Sequence, residues 1–211
     1  MIAIPPIRNR IALAILALAV FQGPAALAQL PPGVYAGERD YKLAPTGTYA
    51  IDPEHTAVIA RVSHIGYAMS VFRFERVAGT LTWDSAKPTA SSLDVTVETA
   101  SISTPVPGFA KELSGGGYLK AAAIPKATFV STAFHRIDAN HGRVDGRFTL
   151  LGKTRPMTFD VTLEGAGKGF MGHPRIGVQA VGHIDGRQFG LNPMFSTPIQ
   201  LDIDAEFART N

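Results

Sequence analysis

The sequence of 211 residues contains no cysteine. This absence excludes disulfide bonds, thiol catalysis, cysteine-ligated zinc and a lipid-modified N-terminal cysteine. A chain without such cross-links depends on its core, and a chain of this length can bury about 70% of the surface that its unfolded form exposes. We therefore expect one main domain that is stabilised by apolar packing.

The apolar segment near the N-terminus is too short to cross a bilayer. It covers residues 11–21, eleven residues in all, whereas a spanning helix needs roughly 20. Arg8 and Arg10 precede it, and Ala26-Leu27-Ala28 follows it with the small residues that signal peptidase recognises. We predict a signal peptide over residues 1–28, cleavage after Ala28, and a periplasmic or secreted mature protein.

The sequence also lacks an excess of charge of one sign. The whole chain has a formal net charge of +3, and removal of residues 1–28 leaves 18 basic and 17 acidic residues. Phosphate backbones are bound by clustered Lys and Arg in clearly basic domains. We therefore expect no nucleic-acid partner.

Motifs of catalysis and metal binding are missing as well. The six histidines show neither a His-x-His pair nor helical i, i+4 spacing, and no serine stands in a Gly-x-Ser-x-Gly elbow. We therefore predict no catalytic residue, no metal site and no cofactor. His64 stands apart, because it ends a predicted strand on the same face as Val58 and Val62 and is expected to point inward at a barrel rim. A histidine bonded to a backbone carbonyl is the alternative.

What the sequence does contain is alternation of apolar and polar residues. Near the C-terminus Ile199, Leu201 and Ile203 alternate with Gln200 and Asp202, which is the period of a strand with one buried face. Repeated along the chain and interrupted by glycine and proline, this pattern predicts an all-β fold, an antiparallel sheet closed around an apolar interior. The predicted strands cover residues 48–51, 57–64, 78–83, 92–99, 127–137, 143–150, 157–164, 176–184 and 197–208.

Two segments fall outside this period. Residues 29–46 carry several prolines and predict an extended leader outside the barrel, so that the barrel domain covers residues 47–211. The connection over residues 104–126 is long for a compact barrel, and residues 109–113 are predicted to form a short helix that ends at Gly115-Gly116-Gly117.

An apolar interior is either a packed core or a cavity for an apolar ligand. For a cavity, strand parity selects the wall-lining residues Val58, Val62, His64, Val95, Val97, Phe129, Phe159, Val161, Leu163, Ile199, Leu201 and Ile203. Aromatic and thioether side chains where strands end would form an apolar portal, made of Met69, Phe72, Phe74, Phe109 and Tyr118.

Several short motifs follow one another along the chain. They are Tyr49-Ala50-Ile51-Asp52, His55-Thr56, Val62-Ser63-His64-Ile65-Gly66, Phe74, Gly79, Ala100-Ser101-Ile102-Ser103-Thr104, Tyr118-Leu119-Lys120, Ile124-Pro125-Lys126-Ala127-Thr128-Phe129, Gly146 through Thr158, and Phe189-Gly190. In this order the chain resembles, from about residue 47 to residue 207, the YceI-like family of secreted, lipocalin-like, polyisoprenoid-binding proteins.

The resemblance implies a lipocalin-like barrel of about eight strands that holds a long apolar chain, such as an isoprenoid or quinone-like lipid. Where the family usually carries polar or small residues, this chain has Phe72, Phe109 and Ala110, and Gly186 replaces a frequent arginine. These departures favour a neutral head group over a pyrophosphate.

The function that we infer from the sequence is a non-enzymatic carrier for an amphiphilic lipid, with transient membrane contact. The oligomeric state stays open, with a homodimer as one alternative. Two other functions also stay open: a lipid or ester hydrolase or isomerase that uses the rim histidine His64, and a packed structural module without a ligand.

The signal peptide gives the first testable prediction. The exported protein should begin at Gln29 and remain soluble, because the apolar segment is short and no cysteine follows it for lipid attachment. Intact mass of the secreted or periplasmic protein measures this directly. A species that retains residues 11–21 would contradict the prediction.

Overall fold

The computed structural model describes residues 30–195 and 198–210. The predicted signal peptide lies outside these residues. Strands dominate the fold, and no helix of the described part is long and apolar enough to cross a membrane. The strands are β1 (Gly47–Ile51), β2 (Ala57–His64), β3 (Ala68–Phe74), β4 (Val77–Trp83), β5 (Ser92–Glu98), β6 (Ile102–Ser103), β7 (Lys126–Arg136), β8 (His141–Leu150), β9 (Lys153–Gly167), β10 (Arg175–Asp185) and β11 (Pro198–Arg209).

All of these strands belong to one antiparallel sheet that closes on itself. Strand β11 pairs with β10 on one side and with both β1 and β2 on the other. Beyond them, β1 pairs with β4 and β2 pairs with β3. In turn, β4 pairs with β5 and β3 pairs with β6. The first six strands therefore act as three broken strands, and with β7 to β11 they form an eight-stranded antiparallel barrel. This confirms the lipocalin-like all-β fold that the sequence predicts.

The alternation indicated neither strand β3 nor the two-residue strand β6, and β3 shows why. Its residues Met69 and Val71 face outward and are each more than 40% exposed, while Phe72 faces inward and is buried. Because β3 carries apolar side chains on both faces, its sequence does not show the alternation of apolar and polar residues that predicts a strand. The helix α1, by contrast, forms where the sequence predicts it, over Phe109–Ser114, and ends at Gly115.

The barrel has two different ends. The end that we call the helix end carries the β2–β3 hairpin, the connection with α1, the β8–β9 turn and the short helix α2 (Gly186–Phe189). The opposite end, the leader end, carries residues 30–46, the β4–β5 loop, the β7–β8 turn and the β9–β10 loop.

The leader packs against the barrel. Val34 and Glu38 form isolated bridges with Phe170 and Ala166. The Trp83 indole nitrogen donates a hydrogen bond to the Ala44 carbonyl at 3.2 Å, and Ala44 is fully buried. The expectation of a leader outside the barrel therefore needs correction, because these contacts hold residues 34–45 over one barrel end.

A charged joint holds the break between β1 and β2. The Asp52 carboxylate accepts a hydrogen bond from the Glu54 amide at 3.1 Å and one from Arg175 Nη1 at 2.7 Å. Arg175 Nη1 also donates to Glu206 on β11. The hydrogen bond from Arg175, together with those from His55 and the Glu54 backbone, lowers the pKa of Asp52 from 3.8 to about 2. The joint thus ties β10 and β11 to the interrupted strand.

Replacement of Asp52 by Asn should lower the free energy of unfolding at neutral pH by about 2 kcal/mol, because a partly buried arginine loses a charged acceptor. A carboxylate whose pKa is lowered in the folded state contributes stability above its unfolded pKa, and that contribution is lost as pH falls toward about 2. The difference between variant and wild type should therefore shrink with acidification, as measured by urea unfolding at several pH values.

Asp160→Asn is the matched control, because Asp160 pairs with Arg143 on the outer surface with its side chain 70% exposed. Its effect should stay within about 1 kcal/mol. A loss for Asp52→Asn that does not depend on pH would show that the carboxylate charge is unimportant.

Candidate functional site

The interior of the barrel is a cavity of about 310 Å³. This volume falls in the range of small-molecule sites, roughly 300–1,000 Å³. Phe129 and Phe159 pack edge to face across its wall, with ring centroids 5.1 Å apart. A Cβ atom on Gly146 would lie 2.3 Å from the Phe129 ring, and one on Gly182 would lie 2.9 Å from the Phe159 ring. These glycines let the two rings pack against the backbone.

The strands place the predicted wall residues around this cavity, with one exception. Those that line it are Val58, Val62, Val95, Val97, Phe129, Phe159, Val161, Leu163, Ile199, Leu201 and Ile203. Each has the inward parity that its strand alternation predicts. The wall along the middle of the barrel is apolar apart from threonine side chains.

His64 is the exception, and its predicted inward position is wrong. Among the described residues, strand β11 pairs with β2 from Ala57 to Arg61, and His64 at the end of β2 pairs with Ala68 of β3. His64 is exposed there, next to Ile65 and Tyr67, which are 82% and 89% exposed. The hydrolase or isomerase alternative therefore loses the rim histidine on which it rested.

The residues predicted to form a portal mostly close the helix end. Phe72, Phe74 and Tyr118 line the cavity. Phe109 on α1 packs against Phe72 with centroids 6.2 Å apart, and Phe195 contacts Phe72 at 6.2 Å and Tyr118 at 5.9 Å. Together they form an aromatic plug.

Met69 does not belong to this plug, which corrects its predicted place in the portal. It lies opposite Ser63 on the outward face of the hairpin and is 43% exposed. The strand that contains it, β3, was not among the predicted strands, so its parity was not assigned.

The cavity reaches polar and exposed groups at the leader end. Tyr41, Trp83 and Arg136 lie there together with the β7–β8 turn at residues 138–142. The Tyr41 and Trp83 rings pack edge to face with centroids 6.1 Å apart, and the Arg136 guanidinium lies 5.4 Å from the centre of the Tyr41 ring. We call this opening the mouth.

Sequence reasoning missed Arg136 because of a β-bulge. The pairing of β7 with β8 shifts register between Ser131 and Ala133. Continuous alternation from Phe129 would turn Arg136 outward, but the extra residue reverses the parity, so Phe134 and Arg136 share the cavity side. Tyr41 was missed because the leader has no strand period.

One group of side chains in the described part of the chain could offer three ligand atoms to a metal ion. Oxygen and nitrogen atoms of Asp52, His55 and Glu206 lie within 4.8 Å of one another. Arg175 already donates to both carboxylates, and its positive charge opposes a cation in the same place. We assign this group to the strand joint and not to a metal site.

Two further histidines, His135 and His141, line the cavity at the mouth and are each paired with a carboxylate. His135 Nε2 contacts Asp145 at 2.8 Å and His141 Nδ1 contacts Asp138 at 2.9 Å, with all four side chains about half exposed. Asp145 also accepts a hydrogen bond from the Thr158 hydroxyl at 2.6 Å, but neither histidine ring is hydrogen-bonded to a serine or threonine hydroxyl among the described residues. The geometry therefore favours binding over catalysis.

Comparison with known proteins agrees with this geometry. Residues 49–207 match the YceI-like domain family. A UPF0312 protein of Pseudomonas putida strain W619 is 36% identical over 158 residues, which cover 74% of this chain and 82% of the relative.

Two solved structures share the fold. The crystal structure of Burkholderia cenocepacia BcnA has a TM-score of 0.66 at 22% identity and covers 74% of this chain and 98% of that one. A polyisoprenoid binding domain from Saccharophagus degradans, implicated in plant cell wall breakdown, has a TM-score of 0.59 at 14% identity and covers 76% and 98%.

Neighbouring residues on β9 test the inside and outside of the wall. Leu163 is buried at the cavity and Thr162 is on the outward face of the same strand. Leu163→Asp should cost several kcal/mol of stability, because an unpaired carboxylate would enter an apolar interior or become protonated. Thr162→Asp should change stability by about 0.5 kcal/mol or less. Thermal melts of both variants measure these losses of stability. A larger loss for Thr162→Asp would show that Thr162, and not Leu163, faces the interior.

Proposed function

The chain belongs to the YceI-like family, and on that premise we propose that it is an exported binding protein that holds the long apolar chain of an isoprenoid or similar amphiphilic lipid inside its barrel. Its role is that of a carrier or sequestering protein without catalytic activity. The lipid class is also supported by the structural neighbour from Saccharophagus degradans, which is a polyisoprenoid binding domain.

The apolar cavity is the observation that carries this proposal. Water in such a space would find few polar partners, and an empty space would forgo dispersion contacts with its lining. An alkyl or isoprenoid chain removes both costs, since burial of apolar area contributes about 25 cal/mol per Å² before ordering costs. The same cavity argues against the packed structural module.

An enzymatic role has little support from the site. The charged side chains that line the cavity belong to the β7–β8 hairpin at the mouth, where His135, His141 and Arg143 each have a carboxylate partner. Export, transient membrane contact and the homodimer alternative remain predictions of the sequence.

Adjacent positions on β10 distinguish a cavity from a packed core. Ala180 lines the cavity, whereas Gln179 is exposed on the outer face. In protein purified without detergent, mass spectrometry of an organic extract should find a long-chain lipid in the wild type and in Gln179→Trp, and much less in Ala180→Trp. The large ring in Ala180→Trp should fill space that the lipid chain uses, with little loss of thermal stability.

Two outcomes would overturn the proposal. One is a wild-type protein that contains no lipid and takes up none when long-chain lipids are added. The other is an Ala180→Trp variant that loses about 1–3 kcal/mol of stability, the effect of overpacking a filled core, while its lipid content stays at the wild-type level.

A further inference from the structure

The tip of the β7–β8 hairpin at the mouth, residues 135–143, carries two histidines and two arginines, and three of these four side chains have a carboxylate partner. His135 pairs with Asp145, His141 with Asp138, and Arg143 with Asp160 at 2.7 Å. Arg136 forms no ion pair with any residue in the ranges that the structure describes. At the hairpin tip, Arg136 is therefore the arginine that no described carboxylate pairs with, and it lines the cavity.

The hydrogen bonds of Arg136 hold its guanidinium in place without neutralising it. Nε donates to the Asp138 carbonyl at 3.0 Å and Nη1 donates to the Tyr41 hydroxyl at 3.2 Å. Within residues 30–195 and 198–210, Nη2 of Arg136 forms no hydrogen bond. The group also lies over the Tyr41 ring, and Tyr41 in turn packs against Trp83. The guanidinium is thus oriented in advance and retains a free donor.

The nearby Asp138 carboxylate is not available to Arg136. It accepts hydrogen bonds from the Asn140 and His141 amides at 2.8 Å and contacts the His141 ring at 2.9 Å. The amide of Asn140 and the ring of His141 are the main causes that lower the pKa of Asp138. The turn therefore binds its own carboxylate and leaves the arginine for another acceptor.

We propose that the mouth is a head-group site, in which Arg136, positioned by Tyr41, binds the carboxylate or phosphate head of an amphiphile whose chain lies in the cavity. This inference rests on the proposed function. A guanidinium matches both anions because its planar N–H groups can bond two oxygens at once. The mouth reaches exposed groups, so the anion keeps part of its hydration.

The two ends of the cavity fix the direction of the ligand. At the helix end the lining consists of apolar and aromatic side chains such as Leu113, Leu119 and Phe195, with no charged group among the described residues there. The chain should therefore point toward the aromatic plug and the head toward Arg136. Phe72, Phe109 and Gly186, which favoured a neutral head group, all lie at the helix end, away from Arg136.

Matched amphiphiles test the head-group site. We would measure the affinity of delipidated protein for hexadecyl phosphate, hexadecanoate, 1-hexadecanol and inorganic phosphate, with each amphiphile kept below its micelle concentration. The two anionic amphiphiles should bind more tightly than 1-hexadecanol. Arg136→Gln should weaken binding of the anionic amphiphiles about tenfold, the effect of one lost charge-assisted contact, and leave 1-hexadecanol unchanged.

Arg39→Gln is the control, because it removes the same charge at the leader end from a residue that pairs with Glu164 at 2.7 Å and does not line the cavity. It should leave all affinities unchanged. Tyr41→Phe removes only the hydroxyl that accepts from Nη1 and should give a smaller loss of the same kind. Inorganic phosphate should not bind measurably.

The remaining outcomes separate the two proposals. Equal binding of 1-hexadecanol and hexadecyl phosphate, with no effect of Arg136→Gln, would overturn the head-group site and leave the lipid-holding barrel in place. Binding of inorganic phosphate that depends on Arg136 and matches that of hexadecyl phosphate would overturn the amphiphile as ligand. Failure of every amphiphile to bind would overturn the proposed function itself.

Discussion

The wall of this barrel is one sheet thick, and its backbone hydrogen bonds close into a ring. Because side chains alternate along each strand, inward residues face the barrel interior and outward residues meet the outer surface. One constraint thus produces both the apolar interior and the polar exterior. It also removes free strand edges from most of the sheet, since closure pairs each long strand on both sides.

This constraint explains how far sequence reasoning reached. Residues such as Val58, Leu163 and Leu201 were placed correctly because alternation on a half-buried strand is a local signal. The failures come from features that break that signal. Strand β3 is apolar on both faces, the bulge at Ser131 reverses the parity of Arg136, and Tyr41 reaches the cavity from a leader with no period.

Polar contacts in the fold concentrate where the ring is interrupted. The joint of Asp52, Arg175 and Glu206 lies at the break between β1 and β2, and Ser101 lies at the break between β5 and β6, where its hydroxyl donates to the Glu98 carbonyl at 2.6 Å and accepts from the Arg76 amide at 3.0 Å. Asp52 and Ser101 both belong to motifs that carry the family resemblance. Some of these motifs therefore mark structural joints, whereas others contain cavity-lining residues such as Val62 and Phe129.

The central claim is that a lipid chain lies inside the ring. The most direct measurement is photo-crosslinking with a long-chain fatty acid that carries a diazirine at mid-chain, followed by peptide mapping. The account predicts adducts on inward residues of β7 and β9, around Phe129 and Phe159, and their loss in Ala180→Trp. Adducts confined to exposed apolar side chains, such as Ile65 and Tyr67 at the hairpin tip, would contradict it.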